Sequence, residues 1–258
     1  MSSKATLEWS YSPAGLIDGL LEFEKFGGSV VAAGGRVTAD FDEQVYRADA
    51  TLADKLLVAI QARLAPAQRR LQQAVEFSHP PTLTVAHSDG KREMFLECYA
   101  SVSISDHFEI QIIRNGVVIE DSEQERIERE SRQALLLESH SDDLILARTL
   151  ASHRNSLRDP DNEFVHLYEI WDALESKFLK RHRVADALKI EFSKFGQFQA
   201  VCNRPTSASR HRGTADGALR QPSPAEYELA RSIAWELVMG YAEWLSTQAK
   251  LHDAAAGN

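Results

Sequence analysis

The sequence predicts an α+β protein: an N-terminal mixed domain with an antiparallel β-meander over residues 1–125, then a C-terminal α-helical bundle over residues 126–258. Two changes of texture carry that reading. Between Leu52 and Val75 the apolar residues Leu56, Leu57, Ile60, Leu64 and Leu71 recur at three- and four-residue steps, the period of a helix, with Pro66 expected to kink or split it. Thr82 to Ala86, Met94 to Ile104 and Phe108 to Ile119 are instead rich in Val, Ile, Thr and aromatics, punctuated by Ser88-Asp89-Gly90 and Asn115-Gly116. Asn-Gly suits a two-residue type I′ hairpin turn, which needs positive φ at both central positions. The helix or helix pair of 52–75 is therefore expected to precede the sheet. Residues 1–50, with Trp9, Tyr11, Val30 and Val31, add strands and a short helix in an order the pattern does not give.

Beyond Asp121 the strand signal stops. Glu-Gln-Glu-Arg-Ile-Glu-Arg-Glu at 123–130 reads as a solvated helix face, and the domain boundary is placed there. Asp159-Pro160 reads as an N-cap and first helical position, leading into Phe164, Leu167, Tyr168, Trp171, Leu174 and Phe178 on one face. A third helix is expected from Val184 to Val201, weakened in its middle by Gly196. The fourth opens on Ser223-Pro224-Ala225-Glu226, a capping box with proline at N1, and continues through Leu229, Ile233, Leu237, Tyr241 and Leu245. Trp235, Met239 and Ala242 form a second apolar stripe on that helix. Either the helix is central and buried nearly all round, or the stripe is the contact of a homodimer through Trp235 and Met239.

Composition removes several function classes. Cys98 and Cys202 have no CxxC or Cys/His spacing, which argues against a disulfide scaffold and a structural zinc site and fits a reducing cytoplasm. The N-terminus has no apolar core of a leader, and no stretch approaches the roughly 20 apolar residues of a membrane span, so no membrane partner is expected. A formal net charge of −9 speaks against a protein that coats DNA. HExxH, GxGxxG, GxxxxGK and GxSxG patterns are missing; Gly27-Gly28 and Gly34-Gly35 read as turns, and Asp40, Asp42, Glu43, Asp142 and Asp143 lack an ion-binding loop pattern. No cofactor and no metal are expected.

Against this acidic background, Asn203 to Gly213 concentrates cations. Arg204, Arg210, Arg212 and Arg220 share the loop and its continuation with a single acid, Asp216, which points to phosphate as ligand. The bland alternative is that these guanidinium groups pair with helical carboxylates. His211 lies between two arginines. His166 and Tyr168 read as core and boundary residues that a bundle could bring near the loop.

Helices followed by an Arg-x6-His pair, Arg204 to His211, just ahead of a capped last helix resemble the HEPN superfamily (higher eukaryotes and prokaryotes nucleotide-binding) over residues 126–258. Pro205 departs from the small polar residue that often follows the family's arginine, so Arg210 or Arg212 could take the role of Arg204. The resemblance implies metal-independent RNA cleavage by a toxin or abortive-infection effector, with a site often assembled from two protomers. Arg204 would hold the phosphate, His211 would take the ribose 2′-hydroxyl proton, and Asn203, Arg210 and Arg212 would contact the substrate. The alternative is a non-catalytic module binding a nucleotide, an RNA or a protein through the same loop. Arg148 and His153 form a second, Arg-x4-His pair, whose i, i+5 spacing places the two on different helix faces and whose plainer reading is a solvent-facing pair.

Overall fold

A computed structural model describes residues 3–17, 19–87, 91–95, 113–114, 117–118, 122–211 and 219–256. The protein is α+β, with an antiparallel sheet in its N-terminal part and helices after it. Its first unit contains β1 (Lys4–Ser12), a 3-10 turn at Ala14–Leu16, β2 (Leu21–Lys25), β3 (Gly28–Ala33), β4 (Arg36–Asp42), α1 (Glu43–Ala48), α2 (Leu52–Leu71), β5 (Glu76–Phe77), β6 (Thr82–Ala86), β7 (Arg92–Phe95), β8 (Ile113–Arg114) and β9 (Val117–Val118). The sheet runs β2-β3-β4-β1-β6-β7, with β5 also pairing β1, and β8 and β9 form a separate antiparallel pair. Four strands therefore precede α2, correcting the expectation of a helix ahead of the sheet. Ser88-Asp89-Gly90, Asn115-Gly116 and all of 96–112 lie outside the described residues.

Paired with β4 on one side and β6 on the other, β1 is an interior strand, and its strict alternation buries one face. Ala5, Leu7, Trp9 and Tyr11 point to one face and are buried, and in register beside them Val37, Ala39 and Phe41 of β4 are buried too. With Val30 and Ala32 of β3 they pack against Leu52, Leu56, Ile60 and Leu64 of α2 in one apolar core. α2 is not split at Pro66, one of the two outcomes expected there: it runs through the proline as one helix. Ala62, Leu64, Ala65 and Pro66 are all buried, and that burial offsets the roughly 3 kcal/mol of an interior proline. Gln68, also buried, accepts the Val75 N–H at 2.9 Å and turns the chain toward β5. Two-residue turns close the β2–β3 and β3–β4 hairpins, with positive φ at Phe26 and Gly27 (52° and 77°) and at Gly34 and Gly35 (55° and 84°). Gly28 lies in β3 itself, where a Cβ would overlap the ring of Phe41.

The second unit is helical: the C-terminal part of α3 (Ser122–Ser139), then α4 (Leu144–Arg158), α5 (Glu163–Phe178), α6 (Arg181–Leu188), α7 (Phe192–Asn203) and α8 (Pro224–Ala256). By contacts the first unit comprises Met1–Leu71 with Val75–Arg132, and the second Gln72–Ala74 with Gln133–Asn258. The sequence pattern does not single out α4 as a separate helix. Its start is Asp143, which accepts the N–H groups of Ile145 and Leu146 at 2.9 Å each and receives the Tyr241 hydroxyl at 3.2 Å. α5 begins later than expected: Pro160–Asn162 form a 3-10 turn, and the Asp159 side chain makes no capping hydrogen bond to it. That carboxylate accepts instead from the Asn162 side chain at 2.7 Å and faces His166 at 3.3 Å.

The single helix expected over 184–201 is two, and the break is at Lys189, left-handed at φ 55°, not at Gly196. Ile190 follows the break and is buried, so a strained backbone puts an apolar side chain inside. The core of the unit is Phe164, Leu167, Trp171 and Leu174 of α5, Phe195 and Phe198 of α7, and Ile233, Leu237 and Tyr241 of α8, with the Trp171 and Phe195 rings 4.6 Å apart. α8 is buried nearly all round from Ala230 to Ala242. Trp235, expected at a dimer contact, lies in the protomer's own interior with its ring 5.1 Å from that of His153; Met239 is half-buried. Glu163, with its side chain only 3% exposed, receives both arms of Arg231 at 2.6 and 2.8 Å and so fixes the start of α5 to α8. No helix among the described residues is long and apolar enough to cross a membrane.

Gly28→Ala is expected to destabilise the protein by about 1–3 kcal/mol, because the Phe41 ring it displaces is itself buried. Chemical denaturation of the purified variant checks this; an unchanged midpoint would show that β3 can shift away from β4 at no cost.

Candidate functional site

The cationic loop begins where α7 is forced to stop. Pro205 disfavours helical geometry in the residue before it, and Arg204 is accordingly extended (φ −60°, ψ 135°), its own N–H still reaching Ala200 O at 3.2 Å. The residue that departs from the family pattern is thus what ends the helix and turns Arg204 outward. Beyond it the chain curls on itself. Thr206 N–H donates to Ser209 Oγ at 3.0 Å, the Ser209 hydroxyl donates back to Thr206 O at 3.1 Å, and both residues are buried with Ala208. Thr206 also bridges Arg220, and Ser207 N–H donates to Arg220 O at 3.1 Å, so the descending chain is stitched to the segment that enters α8.

Arg210 closes the loop. Its backbone N–H lies 3.4 Å from Cys202 O, at the end of α7. Its guanidinium sits over the Tyr168 ring of α5, 4.3 Å from the centroid, and one arm reaches Asp172 at 3.4 Å. Tyr168 is itself fixed: it stacks on Phe198 with an interplanar angle of 4°, and its hydroxyl accepts from Gln199 at 2.9 Å. Gln199 in turn accepts from Arg181 at 2.7 Å, and Arg181 reaches Glu175 at 3.3 Å. Glu175, Gln199, Tyr168 and Asp172 therefore link both arginines, Arg181 and Arg210, in one polar chain across α5, α6 and α7.

The electrostatics of this chain are mixed. Burial pushes the Asp172 carboxyl above the usual carboxylate range; Arg210 opposes the shift, and the neighbouring carboxylates Glu175 and Glu169 add to it. Part of the loop's positive charge is therefore answered from α5. Burial also pushes the Cys202 thiol well up, which leaves it a buried thiol and a poor nucleophile. Arg220 is occupied as well. Both its arms hold Glu226, at 2.8 and 2.5 Å, while Glu226 accepts the Ser223 N–H at 2.8 Å and Ser223 Oγ faces the Glu226 N–H at 3.3 Å, the reciprocal capping box of α8. Arg220 holds Glu226 down to about pKa 2, helped by the Ser223 N–H.

The candidate residues divide by position. Arg204 and His211 are exposed, and Arg204 has no side-chain partner among the described residues. They leave the fold on either side of the Arg210–Cys202 bond. Asn203, the last residue of α7, is half-buried with its Oδ1 shielded from solvent and unpartnered among the described residues. Arg210 is committed to Tyr168 and Asp172, and Arg212 lies outside the described residues. Arg148 is exposed on α4, whereas His153 is buried against Trp235; that pair is not solvent-facing, and the two are not brought together. Sequence reasoning missed Asp172, Gln199 and Arg181. Only Arg181 has a signal, the run Lys177-Phe178-Leu179-Lys180-Arg181-His182-Arg183, whose cation density exceeds that of the loop itself; nothing local marks Asp172 or Gln199. Among the described residues no group of three His, Cys, Asp or Glu side chains is placed to hold a metal ion.

Comparison with protein-family models, with curated proteins and with solved structures gives no match.

Because the Glu226 carboxyl is depressed from 4.5 to about 2 in the folded protein, its contribution is present above pH 4.5 and is lost as the pH falls toward 2. Wild type is therefore expected to melt above Glu226→Gln near neutral pH, with the gap closing through that acid range in paired thermal melts. A gap independent of pH would show that the charge on Glu226 is not what caps α8.

Proposed function

We propose that the helical unit binds RNA phosphate through the 203–211 loop and cleaves the strand without a metal ion, in the manner of the HEPN superfamily that its Arg-x6-His spacing resembles. The observation that carries this reading is the loop neck. The Arg210–Cys202 bond brings the two ends of the loop together, and exposed Arg204 and exposed His211 emerge beside it. Arg204, permanently charged and without a side-chain partner among the described residues, is available to a phosphate. In the reaction the ribose 2′-oxygen bonds to phosphorus as the bond to the 5′-oxygen breaks. His211 takes the 2′-hydroxyl proton, the leaving 5′-oxygen gains one from water, and the products are a cyclic phosphate and a 5′-hydroxyl. Arg204 stabilises the charge that builds on the non-bridging oxygens. DNA lacks the 2′-hydroxyl and would be bound without being cut. Such an activity suits a cytoplasmic toxin or phage-defence effector, with the N-terminal unit free to receive a trigger or partner. Dimerisation through α8 would have to use Met239 or the exposed residues of the helix, since Trp235 is internal.

One observation favours a second reading, a binding module with no chemistry. Arg210, a loop cation packed on Tyr168, is already answered by Asp172 in an acidic stretch of α5.

Purified protein is expected to cleave single-stranded RNA in EDTA and leave cyclic-phosphate ends. His211→Ala and Arg204→Ala should each reduce the rate by about 10²-fold or more with the melting temperature unchanged, both side chains being exposed. Binding without cleavage by wild type would establish the module reading for RNA, and failure to bind RNA would remove the ribonuclease reading and leave only a module for a nucleotide or a protein.

A further inference from the structure

The densest cationic run of the sequence lies at the corner between α5 and α6, away from the Arg-x6-His pair. Lys177, Lys180, Arg181 and Arg183 fall within seven residues, with His182 among them, in a protein of net charge −9. The corner is built by Leu179, which ends α5 in the left-handed region at φ 67° and leaves its own side chain 74% exposed. Lys180 is then extended, and α6 starts at Arg181. Lys180, His182 and Arg183 are exposed and have no side-chain partner among the described residues; Asp186, one turn on, makes no ion pair with them. Lys177 rests over the Trp244 ring at 5.9 Å, and Arg181 is aimed by Glu175 and Gln199.

Helix stability accounts for Lys177, in the last turn of α5, but not for the charges that open α6. The first turn of a helix favours acids, and α6 has none there; its first three residues are Arg181, His182 and Arg183, and no side chain caps it. The charges also do not stand alone. Arg181 donates to Gln199 at 2.7 Å, Gln199 to the Tyr168 hydroxyl at 2.9 Å, and the Tyr168 ring carries the guanidinium of Arg210 at 4.3 Å. One packed chain of contacts thus joins the corner to the 203–211 loop.

From this we infer that the α5–α6 corner is a second phosphate-binding site, which takes the backbone of a single-stranded RNA whose reacting phosphate lies at the loop. The inference rests on the RNA reading of that loop and extends it from one phosphate to a strand. Charge complementarity selects a polyanion. Continuity with the loop selects one long enough to reach both places, and the apolar part of the corner, Leu179 with half-buried Phe178, is too narrow for the broad apolar face that holds a helix on a lipid surface. Phosphate contacts of this kind give affinity without sequence choice, and they make it depend steeply on salt.

The test is binding of a fluorescent single-stranded RNA about 20 nucleotides long, 2′-O-methylated so that it cannot be cut, measured by anisotropy across a salt series. Lys180→Glu/Arg183→Glu should weaken binding by about tenfold or more and flatten the plot of log affinity against log salt by about 0.7 for each phosphate no longer neutralised. Lys180→Gln/Arg183→Gln should lie between it and wild type, and Lys250→Glu, in the exposed C-terminal part of α8, should behave as wild type. Thermal melts of all variants confirm folding. Unchanged affinity and slope in the double reversal would overturn the inference even if His211→Ala abolishes cleavage. Loss of binding in the reversal would support it even if no cleavage is ever found. Binding of anionic vesicles or an acidic peptide, but not RNA, through Lys180 and Arg183 would overturn it in favour of that partner.

Discussion

A guanidinium held between a ring and a carboxylate shapes the candidate site. Arg210 covers Tyr168, reaches Asp172 and donates its backbone N–H toward Cys202, so one residue joins the loop to α5 and to the end of α7. Without its side chain the loop would keep its hydrogen bonds at Thr206, Ser207 and Ser209, but its second end would have no anchor on Tyr168 and Asp172. The cation–π contact and the partly exposed ion pair are each modest, on the order of 1 kcal/mol. Their effect is positional: Pro205 turns Arg204 out at the end of α7, and the contacts of Arg210 set where His211 emerges.

This division of labour among arginines follows from their surroundings. Arg220 and Arg231 are fixed by Glu226 and Glu163 and serve the start of α8 and its attachment to α5. Arg181 and Arg210 are tethered at one end and partly exposed at the other, which suits a surface that orients an anion. Arg204, Lys180 and Arg183 have no side-chain partner among the described residues and carry their charge into solvent. An acidic protein can in this way present a restricted positive surface while its net charge stays at −9. The carboxylates along α5 limit that surface on one side, since Glu169, Asp172 and Glu175 face the same chain of contacts.

Local chemistry was legible in the sequence wherever one or two residues decide the structure alone. The Ser223-Glu226 box, the glycine turn of β3–β4 and the helical period of α2 and α5 are of that kind. What depends on tertiary partners was not. Nothing local marks Lys189 as left-handed; burial of Ile190 does so. Trp235 reads as surplus apolar surface until α4, itself signalled only by Asp143 before an apolar run, supplies His153 to cover it. The cationic loop could be seen in the chain, but not that Tyr168 and Asp172, a turn apart on α5, hold one of its arginines. The basic run at 177–183 was equally visible and was hidden by its mixture with Phe178 and Leu179, which reads as the end of an amphipathic helix.

The most direct measurement of the central claim is amide hydrogen exchange of residues 202–211 in wild type and in Arg210→Met, which keeps an apolar stem over Tyr168 but removes the charge. If Arg210 closes the loop, protection at these amides should fall selectively, while the amides of α5 and α8 exchange as in wild type. Unchanged exchange across 202–211 would contradict the account, because the loop would then hold its shape without the contact assigned to shape it.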